Sequence, residues 1–168
     1  KKNTEMILRA FQQFKSTRGI GDPFEIVLVG DPGFGFNIIK QYFEHSQAKE
    51  SIRVLGHVPD NELAALMNSA DAYLFPSLYE GFGIPSLEAM QCGTVLMVSD
   101  IPIHHEVAQE AAIYVPPANA DQWAKQMKTI VEDTTLRESL IEKGFERAKN
   151  YSWKQTAEKT WEVLQSLV

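Results

Sequence analysis

Residues 72–100, "AYLFPSLYEGFGIPSLEAMQCGTVLMVSD", hold a strand, a glycine-rich loop, a helix and a second strand in direct succession. "AYLFPS" and "TVLMVSD" are short apolar runs without a helical period, as expected of strands buried on both faces. Pro85 suits the first position of a helix, where its missing N–H leaves nothing unsatisfied. Gly81 and Gly83 remove side chains where the chain must turn sharply and where a ligand can approach the backbone. The N–H groups that follow point at the loop from the positive end of the helix, which makes an anion site, most naturally for phosphate. Two carboxylates bracket this loop. Glu88 falls in or just after the first helical turn, where an acid is either a dipole partner contributing about 0.3–1 kcal/mol or a ligand contact. Spacing alone leaves both readings open. Glu80 ends a buried strand and gains nothing from the dipole, so its position suits substrate hydroxyls better than stability.

The same alternation continues on either side. Ile7, Leu8, Phe11 and Phe14 recur at helical spacing within a helix from about Thr4 to Lys15. "FEIVLVG" reads as a buried strand ending in Gly30, "NIIKQYFEHSQA" as a helix and "IRVLG" as a strand. Asp60 is placed to cap "NELAALMNSA". Beyond Asp100 come a short helix near His104 to Val107, the strand "AIYVPP" and three helices. Trp123, Met127 and Ile130 mark the inner face of the first of these helices. Thr135 with Glu138, and Ser152 with Gln155, have capping-box spacing for the other two. Strands alternating with helices predict a doubly wound parallel α/β sheet in one domain spanning residues 1–168. In such a fold ligands bind beyond the carboxyl ends of the strands, which selects the loops at Gly30–Phe36, Gly56–Asp60, Ser77–Pro85 and Ser99–Glu106.

Composition narrows the function. A net charge of −6 without a basic stripe argues against nucleic acid as a partner. The single cysteine, Cys92, cannot form an internal disulfide and suits a reducing cytoplasm. No apolar run approaches a membrane span. The glycines of "GDPGFGFN" do not follow G-x-G-x-x-G, so a dinucleotide site is not expected there. His104, His105 and Glu106 are adjacent and face different directions on a helix, which disfavours a metal site. The four histidines are better read as surface or loop residues. Asp71 is expected to fix the turn into its strand.

"EGFGIPSLEAMQCGTVLMVSD" resembles the signature of the retaining nucleotide-sugar glycosyltransferases of glycosyltransferase family 4, of GT-B architecture. In that family two glutamates are separated by seven intervening residues, as Glu80 and Glu88 are. "KKNTEMILRAF", "IVLVG", "VLGHVPDNELAALMNSADAYLFPS", "SDIPIHHEVAQEAAIYVPP" and "NYSWKQTAEKTWEVL" resemble the family in turn, so the likeness runs through nearly the whole chain. It implies the Rossmann-like lobe that holds a UDP-, GDP- or ADP-sugar donor, with no cofactor and no metal. The absence of any D-x-D agrees with a metal-free site. By resemblance, Glu88 meets the ribose and Glu80 the donor-sugar hydroxyls, while Lys2 offsets diphosphate charge. Gly30 and the backbone N–H groups of Gly81, Phe82, Gly83 and Ile84 meet the sugar and diphosphate, and Val58 and Asp60 lie near the base.

The reaction implied is retaining transfer of a hexose to a sugar or lipid-linked acceptor, with Glu80 orienting and electrostatic. A nucleotide-sugar epimerase, a glycosyl phosphorylase, a paired-carboxylate glycosidase and a non-catalytic sugar-phosphate-binding module are the alternatives. The chain is expected to be a fragment that lacks an N-terminal acceptor lobe and the first, central strand. Any peripheral association with the inner membrane face would then belong to the missing lobe. The last helix is expected to cross back toward that lobe, with Trp153 packed within this domain.

Overall fold

A computed structural model describes residues 1–19, 21–31, 33, 40–41 and 44–167. Its elements are α1 (Thr4–Ser16), β1 (Ile26–Val29), β2 (Ile52–Gly56), α2 (Asp60–Ser69), β3 (Ala72–Phe75), α3 (Ile84–Gln91), β4 (Val95–Ser99), α4 (Pro102–Ala108), β5 (Ala112–Val115), α5 (Ala120–Glu132), α6 (Thr134–Ala148) and α7 (Trp153–Gln165). Lys40, Gln41, Glu44 and His45 are helical, and the rest of the helix expected at "NIIKQYFEHSQA" lies largely outside the described residues.

All strand pairings are parallel. β1 pairs with β2 in one sheet, and β3, β4 and β5 form a second with β4 central. Strand β4 is buried along its whole length and alternates between two cores. Val95 and Met97 face Leu8, Phe11, Trp123 and Ile130, the inner surfaces of α1 and α5. Leu96 and Val98 face Ala89, Met90, Ala108 and Ala148 on α3, α4 and α6. This two-sided burial is the α/β layering that the alternation predicts, and it explains why β4 is apolar up to its last residue, Ser99. Strand β1 departs from its expected burial. Ile26 and Leu28 join the α1 core, but Val27 and Val29 on its other face are 40% and 41% exposed.

Three expectations at helix ends and surfaces are corrected. Asp60 is the first residue of α2 and not its cap; Pro59 takes that position and supplies no side-chain hydrogen bond. The cap of α6 is Asp133, whose Oδ1 accepts from Leu136 N at 2.9 Å, so Thr135 already lies inside the helix. Ser152 does cap α7, accepting from Gln155 N at 3.1 Å. Helix α7 buries none of its residues, and Trp153 is 77% exposed, against the expectation that it packs within the domain. Trp161, Val163, Leu164 and Leu167 are exposed with it. Asp71 does more than shape a turn, because Arg137 of α6 reaches it at 3.3 Å.

The capping assignment has a measurable consequence. Asp133→Ala should lower the unfolding free energy in urea by about 1 kcal/mol, the usual worth of an N-cap, while Thr135→Ala changes it little. The reverse order would return the cap to Thr135.

Candidate donor-binding site

The site is built where α1 begins and β3 ends. Asn3 adopts a left-handed conformation (φ 59°) at the start of α1, and its side-chain amide donates to Pro117 O at 2.7 Å beyond β5. Lys1 O accepts from Leu78 N at 3.0 Å, which lays the first residues along the chain that leaves β3. These two bonds place Lys2 so that its Nζ donates to Glu80 Oε1 at 2.8 Å and stands 5.1 Å from the centre of the Phe75 ring. Lys1 Nζ lies 4.0 Å from Glu80 Oε2. Residues far apart in sequence thus meet in one charged cluster.

Burial raises the pKa of Glu80, whose side chain is only 10% exposed, but the opposing causes prevail. Hydrogen bonding from Lys2, the nearby Ser77 hydroxyl and the charges of Lys2 and Lys1 hold its carboxyl below the ordinary value of 4.5. A depressed carboxylate contributes stability above its ordinary pKa and loses it as pH falls through the folded value. Glu80 is therefore a partly buried anion throughout the neutral range, with its partner lysine more than half exposed.

Beyond Glu80 the chain turns through Gly81, Phe82 and Gly83 into α3. Gly83 sits at φ 88°, a conformation that favours glycine, and a Cβ there would meet the Phe75 ring at 3.3 Å. No atom would obstruct a Cβ at Gly81, so the backbone on that side faces open space. The Phe82 ring packs edge-on against Tyr151 at 5.6 Å. Arg147 holds Tyr151 in turn, donating to its hydroxyl at 2.5 Å and to Glu106 O at 2.7 Å. The end of α6 thereby braces the glycine loop, a support that nothing in the loop's own sequence signals.

Glu88 lies in the second turn of α3, and the first turn contains no acid. The macrodipole account of Glu88 therefore loses force, since the effect fades beyond the first turn. Both glutamates act on Tyr73: burial chiefly, then Glu88 and Glu80, push its hydroxyl up to about 12. Gly30 stands at the carboxyl end of β1, with φ 121°, its N–H on Gly56 O at 2.8 Å and open space on its Cβ side. Val58, half-buried, and Asp60, exposed, lie beyond β2. Among the described residues, no polar contact joins Gly30, Val58 or Asp60 to the Lys2–Glu80 cluster. Most of the loop expected to approach the diphosphate beside Gly30 lies outside the described residues.

His104 overturns its reading as a surface residue. It is 1% exposed, its Nδ1 lies 2.8 Å from Ser99 O, and its ring centre is 5.2 Å from that of Phe75. Burial lowers its pKa more than the Ser99 carbonyl and Glu80 raise it. The neutral ring must donate from Nδ1 to that carbonyl, which leaves Nε2 as an acceptor. Nε2 and the hydroxyls of Ser86 and Ser99 are buried with no hydrogen-bond partner among the described residues, and the buried Ser77 hydroxyl lies near Glu80 without a hydrogen bond of ordinary geometry. His105, by contrast, is exposed and bonded to Asp100 at 2.6 Å. Among the described residues no group of His, Cys, Asp and Glu could hold a metal, and no helix is long and apolar enough to cross a membrane.

Residues 1–147 match the family described as Glycosyl transferases group 1, and the chain belongs to that family. It is 31% identical over 160 residues to O-antigen chain mannosyltransferase B of Escherichia coli, covering 95% of this chain and 42% of that protein. It is 35% identical over 117 residues to O-antigen chain mannosyltransferase RfbU of Salmonella typhimurium, covering 69% and 33% respectively. The chain thus spans less than half the length of these relatives. Among solved structures, sucrose-phosphate synthase from Thermosynechococcus elongatus superposes with a TM-score of 0.86 at 23% identity, over 99% of this chain and 42% of that one. HepE of Anabaena, solved in complex with UDP-glucose, gives 0.85 at 21%, over 98% and 45%. These neighbours share the Rossmann-like lobe of the GT-B fold.

The ion pair can be tested alone. In Lys2→Met, the largest of the causes that lower the Glu80 pKa is gone and burial is less opposed. The Glu80 carboxyl, followed by NMR across an acid titration, should then titrate at higher pH than in the parent chain. An unmoved midpoint would show that the pair is not formed in solution.

Proposed function

We propose that this chain is the donor-binding lobe of a retaining glycosyltransferase of glycosyltransferase family 4. It would transfer a mannosyl residue from a nucleoside-diphosphate sugar to a sugar or lipid-linked acceptor. The carrying observation is the Lys2–Glu80 pair, a partly buried carboxylate and an exposed ammonium held at 2.8 Å beside the glycine turn that opens α3. Membership of the group 1 family supports the reaction class. The two mannosyltransferases of O-antigen chains support mannose as the sugar and a cell-surface polysaccharide as the product.

In this reading the bond between the anomeric carbon and the diphosphate oxygen breaks while an acceptor hydroxyl adds on the same face. The acceptor's proton passes to the departing diphosphate. Lys2 has three donors, so it can keep Glu80 and also take a diphosphate oxygen. The N–H groups at the start of α3 add partial positive charge to the same leaving group, aimed where negative charge develops. Glu80 remains an anion and accepts from donor-sugar hydroxyls, so that its charge favours the cationic anomeric centre. Glu88 is assigned to the ribose hydroxyls, Val58 and Asp60 to the base, and Gly30 to the diphosphate.

Two measurements test the proposal. Calorimetric titration with UDP, GDP and ADP should detect binding of at least one nucleotide, weakened in Lys2→Met. No binding of any of them at millimolar concentration would refute the donor-lobe reading. In the complete enzyme, Glu80→Gln should lower turnover by about 10²-fold, on the scale of losing one preorganised electrostatic contact, with nucleotide affinity little changed. Unchanged turnover would remove Glu80 from the chemistry.

A further inference from the structure

The turn between Glu80 and α3 has little of its own to hold it. Among the described residues, neither Gly81 nor Phe82 makes a backbone–backbone hydrogen bond. Gly83 is fenced on its Cβ side by Phe75, Ser86 and His104, at 3.3, 3.6 and 3.9 Å from where a Cβ would stand. Gly81 faces open space. Glycine populates a wide range of φ, so a residue flanked by two glycines has no neighbouring side chain to fix its backbone. Phe82 carries the only side chain between Glu80 and Ile84. The direction of the backbone through this turn therefore depends on where the Phe82 ring is seated.

That seat is Tyr151, in the short link between α6 and α7. The two ring centres are 5.6 Å apart at 78°, an edge-on pairing that aromatic quadrupoles favour. Tyr151 is itself clamped. Helix α4 is only seven residues long, and its last carbonyls have no further turn to satisfy them. Arg147 takes two of these, its Nε donating to Val107 O at 2.8 Å and its Nη2 to Glu106 O at 2.7 Å. The same Nη2 donates to the Tyr151 hydroxyl at 2.5 Å, and the guanidinium carbon lies 4.9 Å from the centre of the Tyr151 ring. A planar guanidinium held through several donors cannot rotate without losing them together. A chain of contacts thus runs from α4 through Arg147 and Tyr151 to Phe82. His104, which fences Gly83, also belongs to α4, so one helix holds the turn from both sides.

We propose that Tyr151 is a positioning residue for the glycine turn: its ring, clamped by Arg147, seats Phe82 and so aims the backbone N–H groups of Phe82, Gly83 and Ile84. Donors that already point where negative charge develops need no reorganisation during the reaction. A loose turn would have to be ordered by the ligand itself, which lowers affinity. The effect on ligand binding rests on the donor-lobe reading, in which these N–H groups meet the sugar and diphosphate. The ordering of the turn rests only on the contacts.

Backbone 15N relaxation on the 168-residue chain separates the two. Tyr151 is half-buried and belongs to neither apolar core, so Tyr151→Ala should still fold. In that variant the order parameters of the Phe82 and Gly83 amides should fall from about 0.85, the value of rigid backbone, to below about 0.6, while those of β4 stay unchanged. Tyr151→Phe keeps the ring and should retain the parent values. Trp153→Ala removes a large aromatic two residues further on, 77% exposed, and should leave the turn alone. By calorimetry, the affinity for whichever of UDP, GDP and ADP the parent binds should fall at least about fivefold in Tyr151→Ala and in neither other variant. A turn as rigid in Tyr151→Ala as in the parent would overturn the proposal. So would equal loosening in Tyr151→Phe or Trp153→Ala, loosening that spreads through β4, or loss of folding. A loosened turn with undiminished nucleotide affinity would overturn its link to the ligand. If the parent binds no nucleotide, the donor-lobe reading fails and the order parameters alone judge the role of Tyr151.

Discussion

The structure hangs on β4 having no solvent face. Its five residues must satisfy their backbone on both edges and their side chains on both faces. β3 and β5 supply the edges; α1 and α5 cover one face, and α3, α4 and α6 the other. Once that is met, the loops after β3 and β4 must both open on the same end of the sheet, because parallel strands all present their carboxyl ends on one side. The glycine turn, Glu80 and His104 are gathered there for that reason and not through any local attraction among themselves.

At that end, charge is handled in two ways. Glu80 stays ionised although largely covered, since Lys2, Ser77 and Lys1 outweigh the cost of its burial. His104 stays neutral beneath it, since the cost of burying an imidazolium outweighs what the Ser99 carbonyl and the charge of Glu80 offer. The site therefore presents one largely covered anion, an exposed cationic arm and a set of backbone N–H groups. It also keeps neutral acceptors and hydroxyls in its floor.

Legibility varied with the range of the interaction responsible. The helical face of Ile7, Leu8, Phe11 and Phe14, and the inner face marked by Trp123, Met127 and Ile130, were readable because periodicity reports burial directly. The Ser152 cap was readable for the same local reason. The α6 cap was missed because two helix starts are plausible within three residues, and the backbone chose Asp133. Trp153 was misread because a large aromatic favours burial, yet no described element covers α7. His104 was misread because "HH" carries no sign of which ring faces inward; that depends on where α4 sits against β4.

By itself the sequence determined the alternation of strands and helices, the two-faced burial of β4 and the glycine turn ahead of α3, all consequences of local periodicity and steric freedom. It also singled out Glu80, since an acid closing an apolar strand has no local purpose. Only the tertiary structure decided that Lys2 is the partner of Glu80. Their meeting depends on the Leu78–Lys1 and Asn3–Pro117 hydrogen bonds, which bring together segments more than seventy residues apart. Only it revealed that Tyr151 and Arg147 brace Phe82. Such contacts are set by how layers stack, and no spacing along a chain encodes a distance between layers.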